Sequence, residues 1–365
     1  MTTIADLVAG LEEWAPKSLQ EGYDNSGLQI GNPSTQVEKI LFSLDITPEV
    51  IEEARNNQCN IIVAHHPLIF KSLKQLTDQT LVEQCVAMAI RFDIAIYAIH
   101  TNLDNIHTGV NKKIADLLGV KSPRILQTGK SQLNKIAVHV PYDHAKDVMN
   151  AMFNAGAGAI GNYSECSFSF SGSGTFKPND EAKPFVGNID QRHTEAEQKV
   201  EVIAPDFNVR NIVNSMIAAH PYEEVAYDVV PLQNVNPNVG SGMIGELPSP
   251  MAKNEFLDHI KKAFRCDAIR YTSNGPTTIH RVAFCGGSGS FLINRAKRAS
   301  ADAFITGDIT YHSFFESTQS FMIVDIGHYE SEQFTPEHLM QFVNKKMPTF
   351  ATLLSKVKTN PVNIH

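Results

Sequence analysis

Ile61-Ile-Val-Ala-His65-His66-Pro67 is the stretch from which the fold can be read. Four apolar residues in a row suit a strand covered on both faces, as in the parallel sheet of an α/β protein. The run ends abruptly in two histidines, at the strand's carboxyl end, where ligands collect in such sheets. Pro67 holds His66 in extended backbone, so the turn that follows can bring both imidazoles into one place. The same pattern returns in Ile94-Ala-Ile-Tyr-Ala-Ile-His100-Thr-Asn-Leu-Asp104, and again in Phe321-Met-Ile-Val-Asp325-Ile-Gly-His328-Tyr-Glu-Ser-Glu332.

Working outward, the chain alternates strand and helix signals. Ile4–Trp14 has helical periodicity and Pro16 stops it; Val37–Asp45 reads as a strand and Pro48–Asn57 as the helix after it. Asp78–Arg91 and Thr108–Leu118 continue the pattern as helices, the latter closed by Gly119. From Ile136 the order changes to strand–helix–strand (136–140, 143–154, 167–171) and repeats it (200–204, 207–219, 225–230), the pattern of a ferredoxin-like module. A polar stretch, Gly172–Glu197, lies between the repeats, and Gln233–Gly242 reads as an exit linker. Alternation resumes from Met243. The expected organisation is an α/β domain with a mixed sheet, split into residues 1–128 and 240–365, with a ferredoxin-like α+β domain over 129–239 inserted between them.

With 31 basic and 39 acidic residues the net charge is −8, which argues against a nucleic-acid or anionic-membrane footprint. No apolar run approaches the length of a membrane span, and the N-terminal residues lack the basic start of a signal peptide. Five cysteines without a CxxC pair fit reduced thiols in the cytoplasm rather than a disulfide framework or zinc knuckle.

Each histidine string has an ordinary structural reading when taken alone: a strand end, a turn at Asp104, acidic residues at a helix start. Together they present His65, His66, Asp104, His328 and Glu332, with His328 and Glu332 four apart on one helix face. Three imidazoles and two carboxylates exceed what one closed structural zinc site takes, and suit two divalent ions. The nitrogen–oxygen donor set favours zinc, with manganese, iron or cobalt also suited. His100 is expected either to coordinate or to act beside the ligands. Asp308 and His312 share a four-residue spacing that suits an acid–base pair, with His312 donating a proton, or a structural pair at a helix start. Gly286-Gly287-Ser288-Gly289 forms a glycine-rich turn that suits either a phosphate cradle or a tight strand-to-helix turn, and Asn25 is expected to line the pocket. His220-Pro-Tyr-Glu-Glu224 is a dense polar loop suited to a ligand, a subunit contact or solvent.

The strings Asp24-Asn-Ser-Gly-Leu-Gln-Ile-Gly31, Ala64-His-His-Pro67, His100-Thr-Asn-Leu-Asp104, Thr306-Gly-Asp-Ile-Thr-Tyr-His312 and Gly327-His-Tyr-Glu-Ser-Glu332 resemble the GTP cyclohydrolase 1 type 2 homologs. These are the dinuclear-metal-centre proteins also called NGG-one-interacting-factor-three-like. The resemblance implies that His65, His66, Asp104, His328 and Glu332 hold two divalent metal ions. It also implies a metal-dependent hydrolase of a small, phosphorylated or nucleotide substrate, or else an oligomeric metal-binding adaptor. A PII- or CutA-like insert and a homohexameric ring are further implications.

Overall fold

The computed structural model describes residues 2–129 and 132–364. The chain divides into two units, one built from residues 1–129 and 237–365, the other from 130–236. Among the described residues there are fifteen strands: β1 (Gly27–Ile30), β2 (Lys39–Ser43), β3 (Ile61–Ala64), β4 (Ala95–Ala98), β5 (Lys121–Thr128), β6 (Gln132–Pro141), β7 (Ser167–Phe176), β8 (His193–Pro205), β9 (Tyr227–Val235), β10 (Gly240–Ala252), β11 (Arg270–Tyr271), β12 (Thr278–Ser288), β13 (Ala303–Gly307), β14 (Met322–Asp325) and β15 (Ala351–Leu354).

The first unit carries two mixed sheets where the sequence pattern suggested one. In the five-stranded sheet the order is β1-β4-β3-β2-β15; in the six-stranded sheet it is β11-β14-β13-β12-β10-β5. In the five-stranded sheet β15, β2, β3 and β4 run parallel and only β1 is antiparallel; in the six-stranded sheet β12, β13 and β14 run parallel, with antiparallel β10 and β11 on either side.

Both sheets share one core, and the alternation of strand side chains assigns each residue to it. Ile40, Phe42, Ile61, Val63, Ala95 and Tyr97 of one sheet enter the same apolar cluster as Val282, Phe284, Ala303, Ile305, Met322 and Val324 of the other. Their neighbours in the chain face away: Leu41, Ile62 and Ile96 form a second cluster, and Ala283, Phe304 and Ile323 a third. A one-residue slip in any of these strands would exchange the two sets, so the register is tightly specified. Thr47 and Thr80 cap the helices Pro48–Asn56 and Leu81–Arg91 through their side chains. The carboxyl ends of β2, β3, β4, β12, β13 and β14 are the ends that lead to the site residues.

In the second unit, β6–β9 and the helices Ala145–Asn154 and Val209–Ala219 form a βαββαβ unit with sheet order β7-β8-β6-β9. This is the ferredoxin-like order, antiparallel throughout. The stretch 172–197 is less irregular than its composition suggests, because β7 continues to Phe176 and β8 begins at His193. The expected linker is likewise shorter, since β9 runs to Val235 and β10 starts at Gly240. No helix among the described residues is long and apolar enough to cross a membrane.

Candidate metal centre

His65 and His66 leave β3 with their amides bonded to the carbonyls of Ser43 and Leu44, so the parallel pairing with β2 continues past the strand end. His100 follows β4 and precedes the short helix Thr101–Asp104. His328 and Glu332 begin and end the helix His328–Glu332 after β14. These three segments bring His65, His66, His100, Asp104, His328 and Glu332 into one cluster. Within it the nitrogen or oxygen atoms of His65/His66/His100, of His66/His328/Glu332 and of His65/Asp104/Glu332 each fall within 4.8 Å of one another.

All four imidazoles are oriented in the same way. The Nδ1 of His65 lies 2.8 Å from the Ile99 carbonyl oxygen, and that of His66 is 2.7 Å from Asp45 Oδ1. His100 Nδ1 is 2.8 Å from Asp24 Oδ1, and His328 Nδ1 is 2.6 Å from Asp308 Oδ2. An acceptor on Nδ1 fixes the tautomer and leaves Nε2 free to act as a ligand, the arrangement that carboxylate–histidine–metal sites share. Asp24, Asp45 and Asp308 therefore orient three of the four rings, and no spacing rule pairs them with these histidines in the sequence.

Glu332 is only 3 % exposed and sits at the centre. Its Oε2 lies 3.0 Å from His66 Nε2 and 3.1 Å from His328 Nε2, while Oε1 lies 3.7 Å from His65 Nε2. Burial alone would raise its pKa, but the imidazoles around it hold it well below the usual carboxylate range. Asp104 goes the other way, pushed up by burial and then by Glu332. Burial opposes charge on His66 and His328, yet the carboxylates beside them raise these groups to about 10 and about 9. His65 is fully buried and burial pushes it down.

The donor set fits divalent cations on an observation of its own. His65 Nε2 and Asp104 Oδ1 are buried side-chain atoms with no hydrogen-bond partner. They face each other at 3.6 Å, with a second carboxylate beside them. Buried polar atoms without partners are rare, and a cation between these would satisfy both.

The remaining expected residues lie partly at the cluster and partly away from it. Asp308 pairs with His328 and accepts a hydrogen bond from Ser288, not from His312. It adopts φ +55°, so no helix begins there and the four-residue spacing has no helical meaning. His312 is exposed, on the 3₁₀ turn Tyr311–Glu316, against the rings of Tyr311 and Phe315. In the glycine-rich turn, the amides of Gly286, Gly287 and Gly289 already donate to Asn111 Oδ1, Ser331 Oγ and Thr306 Oγ1. Those three amides hold the turn against its neighbours rather than offering themselves to an anion. Gly287 and Ser288 still line a cavity of about 550 Å³ that reaches His100, Asp104, His328 and Glu332. Asn25 donates to the Ile69 carbonyl and so fastens the loop that follows His66-Pro67.

Residues 2–361 match the family model Duf34/NIF3 (NGG1p interacting factor 3). The chain belongs to this family. A relative in Halalkalibacterium halodurans, named GTP cyclohydrolase 1 type 2 homolog, is 38 % identical over 355 residues, covering 96 % of this chain and 95 % of its own. One of the same name in Bacillus subtilis is 36 % identical over 364 residues, covering 97 % and 96 %. The crystal structure of a Bacillus cereus protein related to NIF3 superposes with a TM-score of 0.89 at 36 % identity, over 100 % of this chain and 99 % of that one. The NIF3 relationship thus extends through both units, and the histidine cluster lies wholly within the first.

Proposed function

We propose that this NIF3-family protein is a metal-dependent hydrolase that holds two divalent cations, zinc foremost, around a shared Glu332. The observation that carries the reading is the convergence of four imidazoles and two carboxylates in one cluster, each imidazole held from behind by an oxygen. His65 and Asp104 would hold one ion, His66 and His328 the other, with Glu332 touching both. His100 is proposed as a ligand or close neighbour of the first, since its ring stands 5.3 Å from that of His65. Bound cations would supply Lewis-acid polarisation and make water a nucleophile near neutral pH.

The chain's own residues would do the rest. Asp24, Asp45 and Asp308 keep the rings in place, so no reorganisation is needed when charge develops in the substrate. Tyr23, Phe70 and Phe291 wall the adjoining cavity and offer their faces to a flat ring. No lysine or arginine among the described residues lines that cavity. We therefore favour a heterocyclic substrate of nucleoside size over a triphosphate, although the relatives' name speaks of GTP. His312 has no part in this proposal.

The test is hydrolysis of a panel of purine and pyrimidine bases, nucleosides and nucleotides by metal-loaded protein, chelated protein and His65→Ala. Turnover that depends on metal and is lost in His65→Ala supports the reading. Equal turnover by the chelated protein would sink it.

A further inference from the structure

The second unit contains a cavity of its own, about 520 Å³, walled by Phe170, Phe176, Phe185 and Tyr222. At its wall lies Glu197, which is 7 % exposed and takes part in no ion pair among the described residues. The strand register explains how a carboxylate fits there. Glu197 of β8 pairs with Gly172 of β7, and a Cβ on the nearby Gly174 would stand 2.2 Å from Glu197 Oε2. Gly174 thus clears the space that the carboxylate occupies. The Tyr222 hydroxyl beside it is buried, and burial and then the Glu197 carboxylate hold its pKa above the usual value.

Among the described residues no positive charge is paired with Glu197. Lys199 is committed to Glu201 and to the face of Phe170, and Lys177 to Asp190. His220 uses both ring nitrogens, one on the His139 carbonyl and one accepting from the Tyr222 amide, which fixes it as neutral. A buried carboxylate without a counter-charge is costly, so the cavity is suited to a guest that brings one.

The guest's chemistry follows from the walls. A hard metal ion would need several oxygen ligands converging on one point; Glu197, Glu223 and Glu224 all line this cavity, but they are not among the described residues whose ligand atoms lie within 4.8 Å of one another. A flat base would need parallel rings to sandwich it. Here the Phe176 and Phe185 rings meet Tyr222 at 61° and 47°, with centroids 5.9 and 6.2 Å apart, as the sides of a cup. Tilted aromatic faces around an anionic floor attract an alkylammonium group. We propose that the second unit binds a small organic ammonium ion, with its charge on Glu197 and its alkyl groups against Phe176, Phe185 and Tyr222. Nothing in this proposal depends on the metal centre.

The experiment is calorimetric titration of the full-length, metal-loaded protein with choline and with butylammonium. Each is run beside an uncharged analogue of similar size, dimethylbutanol and pentanol. Either ammonium ion should bind about tenfold or more tightly than its analogue. Glu197→Gln should remove that preference, and Phe185→Leu, on the exposed rim, should weaken binding while leaving folding and metal content unchanged. The proposal is overturned if neither ammonium ion binds, if the uncharged analogues bind equally well, or if a folded Glu197→Gln protein or Phe185→Leu binds as wild type does.

Discussion

His65 Nε2 and Asp104 Oδ1 face each other at 3.6 Å, and both are buried without a hydrogen bond. Left unsatisfied, such atoms cost about 1–3 kcal/mol each. A cation that joins them should therefore stabilise the folded chain. Metal at a hundredfold excess over its dissociation constant adds about 2.7 kcal/mol. In a unit of this size that corresponds to a rise in Tm of about 5–10 °C. Differential scanning calorimetry of chelated protein, with and without added zinc or manganese, measures it. No shift in wild type, or the same shift in His65→Ala, would contradict the assignment.

The aspartates behind the rings offer a second test. Asp45→Ala frees His66 to rotate and Asp308→Ala frees His328, without removing either nitrogen from the site. Metal affinity should fall about 10–100-fold in each. Competition with a fluorescent chelator measures it, and affinities within twofold of wild type would show that the ring anchors are dispensable.

Gly287 tests the packing around Glu332. It has φ +60°, and a Cβ there would stand 2.5 Å from Glu332 Oε1. Gly287→Ala should cost about 1–3 kcal/mol in stability through backbone strain. It should also weaken metal binding, since the added Cβ would press on Glu332 and stand 3.3 Å from His328 Cε1. Gly22→Ala, whose Cβ would meet nothing within 4 Å, is the control. Equal metal affinity in the two variants would refute the coupling.

A prediction away from the site concerns pH. Glu83 is buried, and its carboxylate accepts from the Thr77 amide at 2.9 Å, the Thr77 hydroxyl at 2.8 Å and the Gln79 amide at 3.2 Å. These bonds, the Thr77 amide first, hold its pKa below the usual value. A depressed carboxyl stabilises the fold above its unfolded pKa of about 4.3, and that contribution is lost as the pH falls through the folded value. Urea unfolding should thus separate wild type from Glu83→Gln at neutral pH, with the gap closing as the pH drops below about 4. A gap that stays constant with pH would rule out this role.

The parts of the fold legible in the sequence were those governed by local pattern. The continuous apolar runs around β3, β4 and β14 mark buried strands, and their polar ends mark the cluster. The helix Ile4–Trp14 is legible to the residue because its periodicity and its stop at Pro16 agree. What escaped was set by distance along the chain. β1, β5 and β15 have mixed or short patterns and exist through pairing with β4, β10 and β2. Asp24 is 76 residues from His100 and Asp45 is 21 from His66, so only the fold reveals that they are partners. The four-residue spacing of Asp308 and His312 misleads because it presumes a helix that Asp308's backbone does not enter. Which of its two readings the glycine-rich turn follows also depends on distant residues, since three of its amide donors are taken by residues from three other segments.

The central claim is that Glu332 is shared between two cations, one beside His65 and Asp104, the other beside His66 and His328. Anomalous diffraction from crystals grown at saturating zinc tests it most directly. Two peaks on opposite oxygens of Glu332, with the peak beside His65 absent in His65→Ala, are the predicted result. A single peak, or none within reach of Glu332, would contradict it.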